Sequence, residues 1–466
     1  MEFVSTRGVP KASFEDVLLG GPAPDGGLYL PERWPVFSLP QIREMASLPY
    51  ADAATRVLAP FTAGYFTGEE LHADAQAAYA TFRHAAVAPL NQLAPDLFLL
   101  ELFHGPTLAF KDIALQLMSR LFARALARSK RRATVIAATS GDTGSAAIAA
   151  FCGQPGINIV VLHPKGRVSE MQRRQMTTVT GANVHNIALE GNFDDTQAIV
   201  KNLFDDVEFS TQTNLSAVNS INLVRILAQA VYYFTSAAAL GAGFGRAVNF
   251  VVPTGNFGDV FAGEAAARMG LPVARLVIGT NVNDILVRAL TTGVYAVAGD
   301  VKPTFSPSMD IQVASNFERA LFEASGRNAA WVGNAMAQFR TQRRFDISHD
   351  AMRELGGRYI AAKTGEEETL SAIRETWRAT GMIVDPHTAV GLGAHRILRG
   401  ELRGPVIALA TAHPAKFPDA IGRATGGPPV VPQALEGLSS REERYTVLPN
   451  SLPAVRDFIL SRTEQQ

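Results

Sequence analysis

Short apolar runs rich in Val, Ile and Ala recur between residues 132 and 410, each followed by a loop of small residues and then an amphipathic stretch. The runs RATVIAA (132–138), NIVVLH (158–163), ANVHNIAL (182–189), AVNFVV (247–252), VARLVIGT (273–280) and PVIALA (405–410) read as strands. Their near-continuous apolar character suits strands buried on both faces. The intervening SAAIAAFCG, EMQRRQMTTVTG, GNFDDTQAIVKNLF, DVFAGEAAARMG and NDILVRALTTG read as helices. This alternation predicts an α/β fold in which helices cover both faces of a parallel sheet. Ligands of such sheets bind beyond the C-terminal ends of the strands, where loops meet helix N-termini.

The first 95 residues have a different texture. The segment 20–35 is turn-rich, with Asp25, Gly26 and Gly27 in a turn and Leu28, Tyr29 and Leu30 in a short strand. Helical patterns follow in LPQIREMASLPYADAATRVLAPF and TGEELHADAQAAYATF, and Thr67 with Glu70 forms a capping box for the second. LFLLEL then reads as a strand that delivers the chain to ELFHGPTLAFK (101–111). Residues 296–384 predict helices over FERALFEASG, SHDAMRELGGRYIAAKTG and EEETLSAIRETWRATG. Beyond Gly427 the chain is Pro-rich and then charged, as in a peripheral wrap. The expected divisions are 1–95, 96–427 and 428–466. Residues 226–245 carry no charge over a length that could cross a bilayer. They are Ala-rich, interrupted by Gln229, Thr235 and Ser236, and end in three glycines, so a buried helix is expected.

Composition narrows the function classes. Of 466 residues, 47% are hydrophobic and 18% charged, which suits a large soluble core. Lys plus Arg number 43, as do Asp plus Glu. The net charge of zero offers no electrostatic case for a nucleic acid or an acidic membrane surface. The single cysteine, Cys152, rules out an internal disulfide and a cysteine zinc site, and reads as a small core residue. MEFVSTRG lacks the features of a signal peptide, so a cytoplasmic protein is expected. There is no P-loop, no HExxH and no G-x-S-x-G elbow. Gly241, Gly243 and Gly245 precede a strand where a dinucleotide fingerprint would follow one. Asp385 and His387 are too few for a metal, and DPHTAVG reads as the start of a helix.

Four features carry candidate chemistry. Lys111 ends an apolar stretch broken by a turn at Gly105 and Pro106, and a helical pattern follows it. It is either a surface lysine opening that helix or a desolvated amine able to form a Schiff base. Three loops, TSGDTG (139–144), PTGNFG (253–258) and TAHPAKF (411–417), each follow a predicted strand of one sheet. Helix N-termini bind anions there, and glycine lets an anion approach closely. Gly255 to Gly258 would suit a phosphate monoester, and TSGDTG a carboxylate, with Ser140 and Thr143 adding hydroxyls. Lys165 and Arg167 lie in the loop after NIVVLH, while Asn222 and Arg225 share a helix face in NSINLVRI. These are either a second phosphate clamp or surface charges and helix caps.

Taken together, STRG, DGGLYLP, FHGPTLAFKD, ATSGDTGSAA, PKGRVS, NSINLVRI, PTGNFGD, MDIQVASNFER, DPHTAVG and TAHPAKF resemble the threonine synthase family, in its long bacterial and fungal form. The resemblance spans nearly the whole chain. It implies the fold-type II architecture of pyridoxal-phosphate enzymes such as tryptophan synthase β: two α/β subdomains behind a small N-terminal domain. By that resemblance Lys111 carries pyridoxal 5′-phosphate. Gly255, Asn256, Phe257, Gly258 and Asp259 match the loop gripping its phosphate, and Thr411 the hydroxyl residue beside the pyridine nitrogen. Ser140, Asp142 and Thr143 match the loop near the substrate carboxylate, and Lys165, Arg167, Ser169, Asn222 and Arg225 are candidates for the substrate phosphate. The implied reaction turns O-phospho-L-homoserine and water into L-threonine and phosphate, with no metal, in a monomer or homodimer. A serine or threonine dehydratase, or a phospho-lyase on the same scaffold, is the alternative enzyme. A non-catalytic cofactor-binding protein is the alternative outside catalysis.

Overall fold

The computed structural model describes residues 1–463 except Pro10 and Ser140. The antiparallel pair β1 (Phe3–Ser5) and β2 (Tyr29–Pro31) lies in the N-terminal part. A hairpin of β3 (Leu90–Ala94) and β4 (Leu97–Glu101) follows. Next come β5 (Ala133–Ala138), β6 (Ile157–Pro164), β7 (Val184–Glu190) and β8 (Leu215–Ala217). The chain continues through β9 (Val248–Pro253), β10 (Val273–Thr280), β11 (Val294–Ala296) and β12 (Arg344–Asp346). It ends with β13 (Tyr359–Lys363), β14 (Val406–Ala410) and β15 (Thr446–Pro449).

These strands form two main sheets, where the apolar pattern suggested one. One has the order β13-β10-β9-β14-β4-β3 and the other β15-β7-β6-β5-β8. Within them every pair is parallel except the β3–β4 hairpin. Periodicity marks a run as a strand but does not name its partner. The chain leaves the first sheet after β4, builds the second from β5 to β8, and returns at β9. One consequence positions the site. β9, β14 and β4 are neighbours, with Ala410 opposite Glu101, so three of the loops singled out emerge side by side.

The N-terminal part does not have a core of its own. One continuous apolar cluster runs from Phe3 and Phe61 through Leu117 and Tyr232 to Leu409. A boundary at residue 95 also falls inside the β3–β4 hairpin, so the six-stranded sheet begins before it. Buried Arg319 fastens the two parts: its Nε donates to the Tyr29 carbonyl at 3.0 Å and its Nη2 to that of Ile221 at 2.6 Å. Arg7 forms a two-pronged pair with Glu318, at 2.9 and 2.8 Å. The C-terminal tail is likewise more than a wrap. β15 extends the five-stranded sheet beside β7, and Val455 and Ile459 of the Leu452–Thr463 helix are buried in its core.

Local readings hold where capping chemistry governs and fail where tertiary pairing does. Thr67 Oγ1 accepts from the Glu70 N–H at 3.1 Å and Glu70 returns the bond at 2.9 Å, as a capping box requires. The preceding helical pattern divides into Leu39–Glu44 and Tyr50–Thr62, with Pro49 at the second N-cap. SHDAMRELGGRYIAAKTG is helical only over His349–Arg358. Tyr359–Lys363 becomes β13 because the edge of β10 is there to receive it, and buried Tyr359 bonds Glu264. The uncharged run 226–245 lies largely in the Leu223–Ala239 helix, which is apolar and buried on nearly every side. Among the described residues no helix is long and apolar enough to cross a membrane. Cys152 is only half-buried, just past the end of the Asp142–Phe151 helix.

Candidate active site

The segment from Glu101 to Lys111 runs from the end of β4 to the first residue of the Lys111–Ser129 helix. Its turn needs Gly105, since a Cβ there would lie 2.4 Å from that of Asp112. Asp112 braces the turn by accepting from the Thr107 N–H at 2.8 Å and hydroxyl at 2.7 Å. The segment is zipped to the chain leaving β14. Leu102 N–H donates to Ala410, Phe110 N–H to Thr411, and His413 N–H to Leu108, at 2.8–3.1 Å. Leu108 is held with φ at 61°, a left-handed conformation that a leucine adopts only under such constraint.

This places Lys111 inside the protein, at 8% exposure, and removes the surface-lysine reading. Its nearest anion is Asp142 Oδ2, at 3.7 Å. Burial lowers its pKa. The Asp142 charge opposes that shift, while Lys416 and Arg225 reinforce it. The amine is therefore easier to deprotonate than an ordinary lysine.

Beside it, on the far side of β14, PTGNFG leads from β9 into the Gly258–Arg268 helix. Gly255 passes so close to residue 308 that a Cβ would sit 2.7 Å from the Ser308 carbonyl. Asn256 Oδ1 accepts from the Gly258 N–H at 3.0 Å, and its carbonyl accepts from the Asn316 N–H at 3.0 Å. Phe257 takes the N-cap position with φ at 69°. The N–H groups of the first turn have no intrahelical acceptor, and the helix dipole favours an anion in front of them. Asp259 contributes to such a site through its backbone alone. Its carboxyl turns to the hydroxyls of Tyr232 and Tyr233, and burial pushes its pKa up to about 6. Thr411 is buried at the end of β14, and among the described residues no protein group engages its hydroxyl.

The other sheet brings TSGDTG, after β5, to face these loops. Asp142 begins its helix and is buried. Its Oδ1 accepts from Lys416 Nζ at 2.7 Å and Gln172 Nε2 at 2.9 Å, while Oδ2 faces Lys111. Burial alone would raise its pKa, yet Lys416 and Lys111 hold it well below the usual carboxylate range. Gly141 is required here, because a Cβ would lie 2.5 Å from the Gln172 side chain. Thr143 is half-buried in the first turn, and Ser140 lies outside the described residues.

The remaining candidates separate. Arg225 is 3% exposed, and burial lowers its pKa to about 10. Nη1 donates to the Val218 carbonyl at 3.1 Å, and among the described residues Nε has no partner and no carboxylate pairs with the guanidinium. A buried guanidinium without a counterion is a receptor for an anion. Asn222 is not available for that role. Its amide donates to Val17 and Leu18 carbonyls at 3.3 and 3.0 Å, and its oxygen caps the helix at the Val224 N–H. Lys165 is exposed and paired with Glu190 at 3.0 Å, and Arg167 is exposed. Ser169 caps the Glu170–Thr177 helix and lines a cavity of about 780 Å³ together with Gln172, Lys416, Leu435 and Leu438. Asp385 caps the Pro386–Leu398 helix and accepts from the His387 N–H, as its sequence suggested. Among the described residues no cluster of His, Cys, Asp and Glu could hold a metal. His104 pairs with Glu101 at 2.7 Å at the end of β4.

Two participants escaped the sequence reading, Lys416 and Gln172. TAHPAKF was singled out for its place after a strand, but not for its lysine. The one available signal was a lone basic residue among Ala, Pro and Phe. The assembled groups suit a phosphorylated aldehyde. A buried amine can take the carbonyl, a helix N-terminus behind an obligatory glycine can take the phosphate, and a neutral hydroxyl at Thr411 can face a ring nitrogen.

Comparison with known proteins agrees. A family model for pyridoxal-phosphate dependent enzymes matches residues 83–338. Models for the threonine synthase N terminus and the threonine synthase C-terminal region match 2–79 and 388–459. A threonine synthase of Pseudomonas aeruginosa is 49% identical, with 98% of each chain covered. The crystal structure of a PLP-bound threonine synthase from Brucella melitensis superposes with a TM-score of 0.96 at 49% identity, covering 99% of each chain. That of the yeast threonine synthase superposes at 0.93 and 36% identity, covering 100% of this chain and 99% of that one.

Proposed function

This chain belongs to the threonine synthase family of pyridoxal-phosphate-dependent lyases, and we propose that it converts O-phospho-L-homoserine and water to L-threonine and phosphate with Lys111 as the cofactor lysine. The observation that carries the residue assignment is the buried Lys111 amine, set beside the Gly255–Gly258 helix entry and opposite Arg225, whose charge has no counterion among the described residues. When bound, the cofactor supplies a carbonyl for the amine and an electron sink for the charge left when a proton leaves carbon.

The chain's own groups do the rest. The Lys111 amine would hold the cofactor, and as a free nitrogen it would take the α proton of the substrate. Burial favours the neutral form that this step needs. The Gly255 close approach and the Asp259 N–H would receive the cofactor phosphate, in a loop that Asn256 Oδ1 holds by accepting from the Gly258 N–H. The Thr411 hydroxyl would serve the ring nitrogen as a neutral partner, unlike an acidic one. Arg225 takes the substrate phosphate and steadies it as it departs from the γ carbon. The TSGDTG turn, through Thr143 and its N–H groups, receives the substrate carboxylate, while Lys416 and Gln172 keep Asp142 turned aside. Exposed Ser169 lines the cavity that Lys416 and Gln172 also line, and exposed Arg167 lies two residues before it. The protein works in the cytoplasm on this small molecule, as a monomer or homodimer, with neither nucleic acid nor membrane as partner.

Product analysis tests the reading. Purified protein given phosphohomoserine and pyridoxal phosphate is expected to release threonine and phosphate in equal amounts. Release of 2-oxobutyrate in place of threonine would assign it instead to elimination without hydration.

A further inference from the structure

The Lys416 side chain has no accessible surface. It is committed twice, to Asp142 Oδ1 at 2.7 Å and to the Thr107 carbonyl at 2.9 Å. Asp142 thus stands between two lysines. The oxygen toward Lys416 also receives Gln172, so its hydrogen-bonding capacity is taken, while the oxygen toward Lys111 stays at 3.7 Å, beyond a good hydrogen bond. We propose that Lys416 is a positioning residue that neutralises Asp142 and draws it off Lys111, so that Lys111 is kept as a free amine. The inference rests on Lys111 being the reactive lysine of the proposed function.

The physical reason is a competition. A carboxylate beside Lys111 would by itself favour the ammonium, which is neither nucleophile nor base. A second cation on that carboxylate cancels most of this attraction and adds repulsion of its own. The charged or titratable groups around Lys111 are Asp142 from the second sheet, Lys416 from the chain after β14, Arg225 from the Leu223–Ala239 helix, Asp112 next in sequence and Asp259 from the phosphate loop. Lys416 alone among them is bonded directly to the carboxylate nearest Lys111. Its contact with Thr107 fixes it to the segment that carries Lys111, so the three groups keep their spacing as a unit.

The test is the pH dependence of Lys111 reactivity in the full-length chain after cofactor removal. Trace labelling with acetic anhydride is read by mass spectrometry on the Lys111 peptide. In Lys416→Met the labelling midpoint is expected to rise by about one pH unit, about tenfold less free amine at neutral pH. Lys416→Arg should keep the parental midpoint, and Asp142→Asn should lower it. The double variant Lys416→Met/Asp142→Asn should return below Lys416→Met, and Asp142→Asn alone carries the test should Lys416→Met fail to fold. Capture of added pyridoxal phosphate, followed by its visible absorbance, should shift in pH with the labelling. An unmoved midpoint in folded Lys416→Met or in Asp142→Asn overturns the proposal. So does an unmoved midpoint accompanied by weaker binding of inorganic phosphate, which would make Lys416 an anion ligand. If labelling behaves as expected but the cofactor is captured at no pH, the failure lies in the cofactor assignment and not in the role of Lys416.

Discussion

The two sheets meet at Lys111 but build their halves of the site differently. On the six-stranded side, the loops after β9, β14 and β4 are positioned by backbone. Phe110 is bonded to Thr411, His413 to Leu108 and Asn316 to Asn256, and Gly255 is pressed against residue 308. On the five-stranded side, position is set by side chains: Asp142 is held by Gln172 and by Lys416, which reaches across from the loop after β14, with Lys111 at 3.7 Å, and among the described residues no carboxylate pairs with Arg225. Backbone contacts among packed strands leave one geometry available. A side-chain charge network can re-partner when an anion arrives. The first half suits a group that stays, and the second a substrate that enters and leaves.

Four changes would break or sharpen this contrast. The largest effect belongs to Lys111→Ala, where the halves meet. It should cost at least about 10³-fold in turnover with the melting temperature preserved, because covalent and proton-carrying roles vanish together. Turnover near the parental rate would undo the central assignment. Arg225→Ala strikes the substrate half. KM for phosphohomoserine should rise about 100-fold, equivalent to a charge-assisted hydrogen bond of about 2–3 kcal/mol, while bound cofactor is unchanged by absorbance. Loss of cofactor instead would move Arg225 to the other half. Gly255→Ala strikes the backbone-held half and should weaken cofactor binding about tenfold, because the methyl must displace the Ser308 carbonyl. A change confined to KM would contradict it.

The smallest effect concerns Asp259. Its folded pKa of about 6 exceeds the ordinary 3.8, so the folded chain binds the proton first. Stability is therefore expected to fall as pH rises between those values, and the loss persists above them. Asp259→Asn keeps the acceptor for Tyr232 and Tyr233 without the charge. Its melting temperature should exceed the parent's by more at pH 8 than at pH 4, and equal differences at both would show that Asp259 does not titrate in this way.

The sequence carried much of this, unevenly. Strands such as 248–252 and 406–410 and the Thr67–Glu70 cap were legible because their signals are local. β13 was not, since Tyr359–Lys363 becomes a strand only where β10 offers an edge. Asn222 and Arg225 looked equivalent at helical spacing. Burial separates them, because the N-terminal part supplies carbonyls to Asn222 and, among the described residues, nothing supplies a carboxylate to Arg225. Lys165 and Arg167, plausible by charge and loop position, turn out to be exposed.

By itself the sequence determined the alternation of strand and helix, the small-residue loops after the strands, and, through motifs spread over the whole chain, the family, within which Lys111 is the proposed cofactor lysine. These depend on residue type and spacing, which a linear pattern preserves. Only the tertiary structure decided that the strands divide between two sheets, that β4, β14 and β9 stand side by side, and that Lys416, some 300 residues from Lys111, shares a carboxylate with it. Strand order and burial arise from pairings between distant segments. The charge state of a lysine depends on which of those segments close around it.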